Sequence, residues 1–197
     1  MADGLTIQRS SRAALAEGVT LAWILAALVA LPRPPRAPLL LMSYLNPLLA
    51  FGLGQLPASL RTAGISGLIV PDLPFEECGE LRATLAGEGI ALVQMATPVT
   101  PPARLALLAR ESQGFIYAVT TAGTTGRELA VPDAVLEYLD RVRAVAAVPV
   151  CAGFGIRNAA QVARLAGHAD GVIVGSALVE ALERGDDPAT FIAGLRG

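Results

Sequence analysis

The apolar positions of this chain fall into short runs of five to seven residues, each followed by a turn and then by a segment with helical spacing. The runs are PLLLMSY (38–44), GLIVP (67–71), ALVQMA (91–96), GFIYAV (114–119), VPVCA (148–152) and GVIVG (171–175). Each is apolar on both faces and rich in Val, Ile and Leu, and each lies far enough from the next for a crossover helix. That is the pattern of parallel strands in an α/β protein. Helical spacing falls near 7–31, 51–63, 74–87, 101–111, 132–145, 157–167 and 187–195. Pro74, followed by Glu76 and Glu77, suits a helix start, since proline lacks the N–H that the first turn does not need and acids complement the dipole. The segment PRPPRAP (32–38) is a stiff connection, and nothing along the chain marks an interdomain linker.

Composition narrows the chemistry. A chain of 197 residues with 53% hydrophobic content fits a single domain with a sizeable core. The net charge of -2 supplies no basic stripe, which argues against nucleic acid or an anionic membrane surface and leaves a small molecule as the expected ligand. Cys78 and Cys151 form no disulfide framework and no zinc spacing, which suits a cytoplasmic protein. Every basic residue is Arg, so Schiff-base catalysis by Lys is excluded, and acid–base work falls to Asp, Glu or Tyr. The one histidine, His168 in LAGHADG, reads as a residue at a helix end. The apolar run VTLAWILAALVAL (19–31) is shorter than the roughly 20 residues that span a bilayer. It also lacks a signal-peptide cleavage site, so it reads as a buried helix.

The chemically interesting residues collect at the carboxyl ends of the runs, where parallel α/β folds place their sites. Tyr44 and Asn46 follow the first run, Asp72 the second, Thr97 the third, Thr120 to Gly126 the fourth, Gly153 to Gly155 the fifth, and Gly175 with Ser176 the sixth. The last two loops combine glycine with a helix start, where free N–H groups converge on an anion. On that reading a phosphate oxygen approaches Gly155; on the alternative, the glycines serve tight turns only.

Several stretches resemble the α-subunit family of tryptophan synthase, in the family's order and spacing: ADGLTIQRSSRAALAEGVTL, LLLMSYLNPLLAFG, AGISGLIVPDLPFEE, YAVTTAGTTG, GFGIRNAAQVA and ADGVIVGSALVE. The resemblance implies an eight-stranded (β/α) TIM-type barrel of which this chain carries about six strands, as one incomplete barrel domain over 1–197. It implies retro-aldol cleavage of indole-3-glycerol phosphate, without a cofactor or metal, and transfer of indole to a β subunit in a heterotetramer. Asp3 corresponds to the loop aspartate that assists proton loss at indole N1, and Tyr117 to the strand tyrosine beside the glycerol chain. Thr125 corresponds to the threonine of a closing loop, and Gly126, Gly155, Gly175 and Ser176 to the phosphate cradle. Met42, Ile69, Met95 and Phe154 would line the indole pocket, although each could equally be core. Asn46 and Pro47 would border the β subunit.

Two departures accompany the resemblance. The family has two further strands before the segment matching ADG, the second carrying a glutamate that acts as general acid and base, and Asp72 is the one substitute in this sequence. Thr121 stands where the family usually has an arginine. The competing readings are an inactive module that binds phosphate or the β subunit, and another phosphate-binding barrel enzyme such as a sugar-phosphate isomerase.

Overall fold

A computed structural model describes residues 4–120 and 131–197. The first long helical segment divides in two, α1 (Leu5–Ala16) and α2 (Leu21–Val29), where a single helix over 7–31 was expected. The division follows from Gly18, which adopts φ 78°, and from Thr20, whose side chain accepts the Trp23 N–H at 3.2 Å and so starts a new helix. No single helix among the described residues is long and apolar enough to cross a membrane. The run continues as β1 (Leu39–Met42), α3 (Leu45–Phe51), α4 (Leu56–Thr62), β2 (Ile65–Ile69), α5 (Gly79–Gly87), β3 (Ala91–Ala96), α6 (Pro102–Glu111), β4 (Ile116–Val119), α7 (Asp133–Val145), β5 (Val150–Gly153), α8 (Ala159–Leu165), β6 (Gly171–Ile173), α9 (Ser176–Glu183) and α10 (Pro188–Gly194).

All six expected strands are present, and the boundaries shift for local reasons. β2 begins earlier than its apolar run because the turn sits at Gly64, φ 74°. The helix expected over 51–63 is the shorter α4, and α3, which was not among the expected helices, precedes it and ends at Gly52, φ 104°. Pro74 does not open a long helix: it precedes a 3-10 turn, Phe75–Glu77, and α5 starts after Cys78. α9 was absent from the expected helices, although its glycine start was noted.

The described residues gather into two units. One holds Ala14–Gln94 with Ser112–Gly114, and the other is built from the remaining described residues. In the first unit β1, β2 and β3 run parallel in chain order, with Met42 opposite Ile69 and Ile69 opposite Val93. Leu25, Leu48, Leu56, Leu60, Leu68, Leu85 and Leu92 form its core. Two side chains from the loop after α6 finish β3: Gln113 Oε1 accepts the Leu92 N–H and Ser112 Oγ the Gln94 N–H, each at 3.1 Å. In the second unit β4, β5 and β6 run parallel, with Val119 opposite Gly153 and Gly153 opposite Ile173. Its buried residues include Ile116, Ala118, Leu136, Leu139, Val142, Val150 and Leu165. β1 is not apolar-buried on both faces as expected. It alternates, because Leu39 and Leu41 pack against the core of this unit while Leu40, 38% exposed, and Met42, 45% exposed, point to the other face.

Candidate functional site

In the unit of β4–β6 the carboxyl ends of the strands are organised around one side chain. Tyr117 leans along β4 until its phenol lies over the backbone of Gly153 on β5. A Cβ on Gly153 would sit 2.3 Å from the Tyr117 hydroxyl oxygen and 2.5 Å from its ring carbon Cζ. The close neighbour that demands glycine there is therefore an aromatic side chain of the protein itself. Gly155 is glycine for a different reason, a left-handed φ of 79°. Tyr117 is buried, and burial, with Cys151 beside it adding to the effect, pushes its phenol up to about 12. It stays protonated in neutral solution, so it serves as a neutral hydroxyl and not as a base.

Phe154 also has a left-handed φ of 79°, the one non-glycine residue with positive φ among the described residues. A bulky side chain there costs on the order of 1 kcal/mol or more, and such outliers gather at functional sites. Its ring meets Tyr117 edge-on, centroids 5.8 Å apart and planes 70° apart, while remaining 38% exposed. Thr120, buried at the end of β4, holds the turn in this shape. Its hydroxyl lies 2.8 Å from the Gly153 carbonyl oxygen and 2.5 Å from that of Phe154, and its N–H donates to Gly153 at 2.8 Å.

The two helix starts at this end of the sheet differ. α8 is capped by its own chain: Asn158 Oδ1 accepts the Gln161 N–H at 2.9 Å, and Gln161 Oε1 accepts the Arg157 N–H just before the helix at 2.7 Å. α9 begins at Gly175, which is exposed, has no side-chain cap, and would carry a Cβ in open space. Its first-turn N–H groups and its positive dipole end are thus better suited to an external anion than those of α8. Register places the two loops together: Gly153 pairs with Ile173, so Gly155 and Gly175 each stand two residues past paired positions.

The remaining expected site residues divide. In the unit of β1–β3, Met42 pairs in register with Ile69, but Ile69 is buried at 6% exposure while Met42 is 45% exposed. Met95 is half-buried. A purely core role thus fits Ile69 alone, and Met42 and Phe154 present apolar surface. Asp72 is exposed and its Oδ1 accepts the Leu45 N–H at 2.8 Å, capping the start of α3. Asn46 and Pro47 are exposed on α3. His168 lies in the loop entering β6, opposite the strand carboxyl ends, with Nδ1 2.8 Å from Asp140 Oδ1. Asp3, Thr121, Thr125 and Gly126 lie outside the described residues. No group of His, Cys, Asp and Glu among the described residues could hold a metal ion. Sequence reasoning missed the specific role of Thr120 and the α8 cap, although Asn158 and Gln161, three apart, spell a capping pattern.

The family model for the tryptophan synthase alpha chain matches residues 1–194. This chain belongs to that family. The tryptophan synthase alpha chain of Bacillus mycoides is 44% identical over 183 residues, covering 93% of this chain and 71% of the relative. That of Chloroflexus aurantiacus is 43% identical over 185 residues, covering 93% and 70%. Among solved structures, one from the tryptophan synthase α2β2 complex of Pyrococcus furiosus superposes with a TM-score of 0.89 at 33% identity, covering 99% of this chain and 81% of that one. One of Mycobacterium tuberculosis tryptophan synthase gives 0.86 at 38% identity, covering 99% and 74%. The alpha-chain fold is a TIM-type α/β barrel, and this chain contributes six parallel strands to it. Tryptophan synthase alpha chains are lyases that cleave indole-3-glycerol phosphate in tryptophan biosynthesis.

Proposed function

We propose that this chain binds indole-3-glycerol phosphate at the carboxyl ends of its strands, as part of one barrel domain in the cytoplasm, and serves its retro-aldol cleavage to indole and glyceraldehyde 3-phosphate. The observation that carries the reading is the Tyr117–Gly153–Phe154 constellation. A strained aromatic is held at the mouth of the sheet beside a neutral phenol, next to an uncapped helix start. The start of α9, with Gly175 and Ser176, and the Gly155 turn take the phosphate. By family resemblance Met42, Ile69, Met95 and Phe154 take the indole, Gly126 joins the phosphate cradle and Thr125 belongs to the closing loop; the exposure of Phe154 supports its part. Tyr117 offers its hydroxyl to the glycerol chain.

The reaction protonates indole C3, removes the N1 proton and deprotonates a glycerol hydroxyl so that the carbon–carbon bond breaks, with no cofactor. It needs two positioned proton-transfer groups. Asp3 supplies one by family resemblance. For the other, Asp72 is a weak substitute, since its Oδ1 already accepts the Leu45 N–H at the start of α3, and Tyr117 holds its proton too tightly. The 197-residue polypeptide is therefore expected to bind ligand better than it turns over. The indole passes to a β subunit, with Asn46 and Pro47 at the contact; their exposure on α3 supports this. Calorimetry with glycerol 3-phosphate, an indole-release assay and co-purification with a β subunit test the proposal together. Phosphate-dependent heat with turnover well below a full-length relative is expected. No heat from folded protein overturns the binding site, equal turnover overturns the assignment of a missing group, and two chains that stay apart at high concentration overturn the contact.

A further inference from the structure

Glu180 stands one helical turn into α9, four residues after Ser176, and its carboxylate reaches two other segments at once. Oε1 accepts the hydroxyl of Thr6 in α1 at 3.0 Å. Both oxygens face the Arg157 guanidinium, Nη1 at 3.5 Å and Nη2 in a shorter contact, as a two-pronged pair. Arg157 lies two residues past Gly155, and its own N–H is fixed by buried Gln161. Thr6 lies three residues past Asp3. Next to this tie, Arg9 of α1 grips Glu183 of α9 with Nε at 3.2 Å and Nη2 at 2.5 Å.

We infer that Glu180 is a positioning residue that locks the start of α1 and the Gly153–Arg157 turn to α9, so that a phosphate held at the turn and the α9 start is felt by the segment leading from Asp3. Two geometric features support this over an incidental surface pair. The acceptor is shared by partners 174 and 23 residues away, so one rotamer must satisfy both. The Glu180 side chain is also only 24% exposed, compared with 37% for that of Glu183 in the neighbouring pair. The Arg157 hydrogen bond, followed by that of Thr6, holds the Glu180 carboxyl below the usual carboxylate range, so it is charged when the site is at work. The glycine turn and the start of α1 thereby share one anchor, which holds the two segments in a single arrangement.

The inference rests on the proposed phosphate site, and hydrogen exchange separates the two. In the wild-type chain, glycerol 3-phosphate is expected to slow exchange at 5–12 as well as at 154–158. Glu180→Ala should bind with affinity lowered about fivefold, the low end of ordinary intersite coupling for a partly exposed charge, and should lose the transmitted protection at 5–12. Glu180→Gln, which keeps an acceptor for Thr6 but not the charge for Arg157, should fall between, and Arg157→Ala should match Glu180→Ala. Unchanged circular dichroism confirms that the variants fold; a variant that does not is replaced by Thr6→Val, which severs one arm alone. If protection at 5–12 persists in Glu180→Ala, the inference is overturned. If the wild-type chain binds no glycerol 3-phosphate, the phosphate site fails, and exchange without ligand decides the tie. Faster exchange at both segments in Glu180→Ala supports it, and unchanged exchange overturns it.

Discussion

Three residues in the unit of β4–β6 carry sharp expectations. Gly153→Ala places a methyl within 2.5 Å of the Tyr117 ring, and neither the strand nor a buried ring can yield cheaply. A loss of about 1–3 kcal/mol is expected by urea denaturation. Shortening the neighbour in Gly153→Ala/Tyr117→Ala should return part of it, a non-additivity that identifies the contact. Tyr117 also sets an alkaline limit. Its folded value near 12 lies above the unfolded value of 10.0, so the neutral phenol stabilises the fold fully below pH 10, and that contribution is lost as pH rises through 12. Tyr117→Phe should flatten the decline between those values, which amounts to about 3 kcal/mol. An equally steep fall in the variant would place its origin elsewhere. Tyr138 is the converse case, 1% exposed with a hydroxyl that has no partner among the described residues. Removing a buried, unmatched hydroxyl should help, so Tyr138→Phe is expected to raise stability by about 1 kcal/mol. A lower stability would mean that the hydroxyl is satisfied after all.

At the scale of elements, the helix starts decide how the site is framed. Asn158 caps α8 and, through Gln161, pins Arg157, so Asn158→Ala should cost about 1 kcal/mol and loosen the turn before it. Thermal unfolding measures the first effect and hydrogen exchange at 154–158 the second. α10 is capped by Asp187, whose carboxylate accepts the Thr190 hydroxyl and N–H, bonds that hold it below the usual carboxylate range. The cap is present above the ordinary carboxyl pKa and is lost as pH falls through the lowered one. Much of this was legible in advance, because strand periodicity, Pro188 after Asp187 and the Asn158–Gln161 spacing are local signals. The break between α1 and α2 was legible too, in Gly18 and Thr20, but the strong apolar periodicity of 19–31 obscured it.

For the molecule as a whole, the outer edges of β1 and β6 matter most. Among the described residues each pairs on one side only, β1 with β2 and β6 with β5. Leu40 at 38%, Met42 at 45% and Trp23 at 56% exposure leave apolar surface beside the first edge or on α2. An open edge with apolar surface is a template for association. At about 25 cal/mol per Å² of wet apolar area, a few hundred Å² compares with a net stability of roughly 5–15 kcal/mol. The 197-residue polypeptide is therefore expected to self-associate or to melt without cooperativity. Light scattering and calorimetry check this, and a monomer with one sharp transition would show that the edges are protected.

What the sequence determined by itself is what depends on near neighbours. The six apolar runs fix strands, the spacing between them fixes parallel crossovers, and the glycine-rich ends together with the motifs around ADG, YLNP, VPDLP and GFGI mark the family. Tertiary structure decided which distant side chains occupy the same space. It put Tyr117 over Gly153, brought Asp72 to the Leu45 N–H at the start of α3, and joined Thr6 to Glu180 across 174 positions. The physical reason is that periodicity records which face a residue shows, whereas contacts between elements depend on register and on the direction of each turn. A two-residue offset such as that between Cys151, which faces Tyr117 in the ladder, and Gly153, which lies under its ring, leaves no trace in the order of the residues.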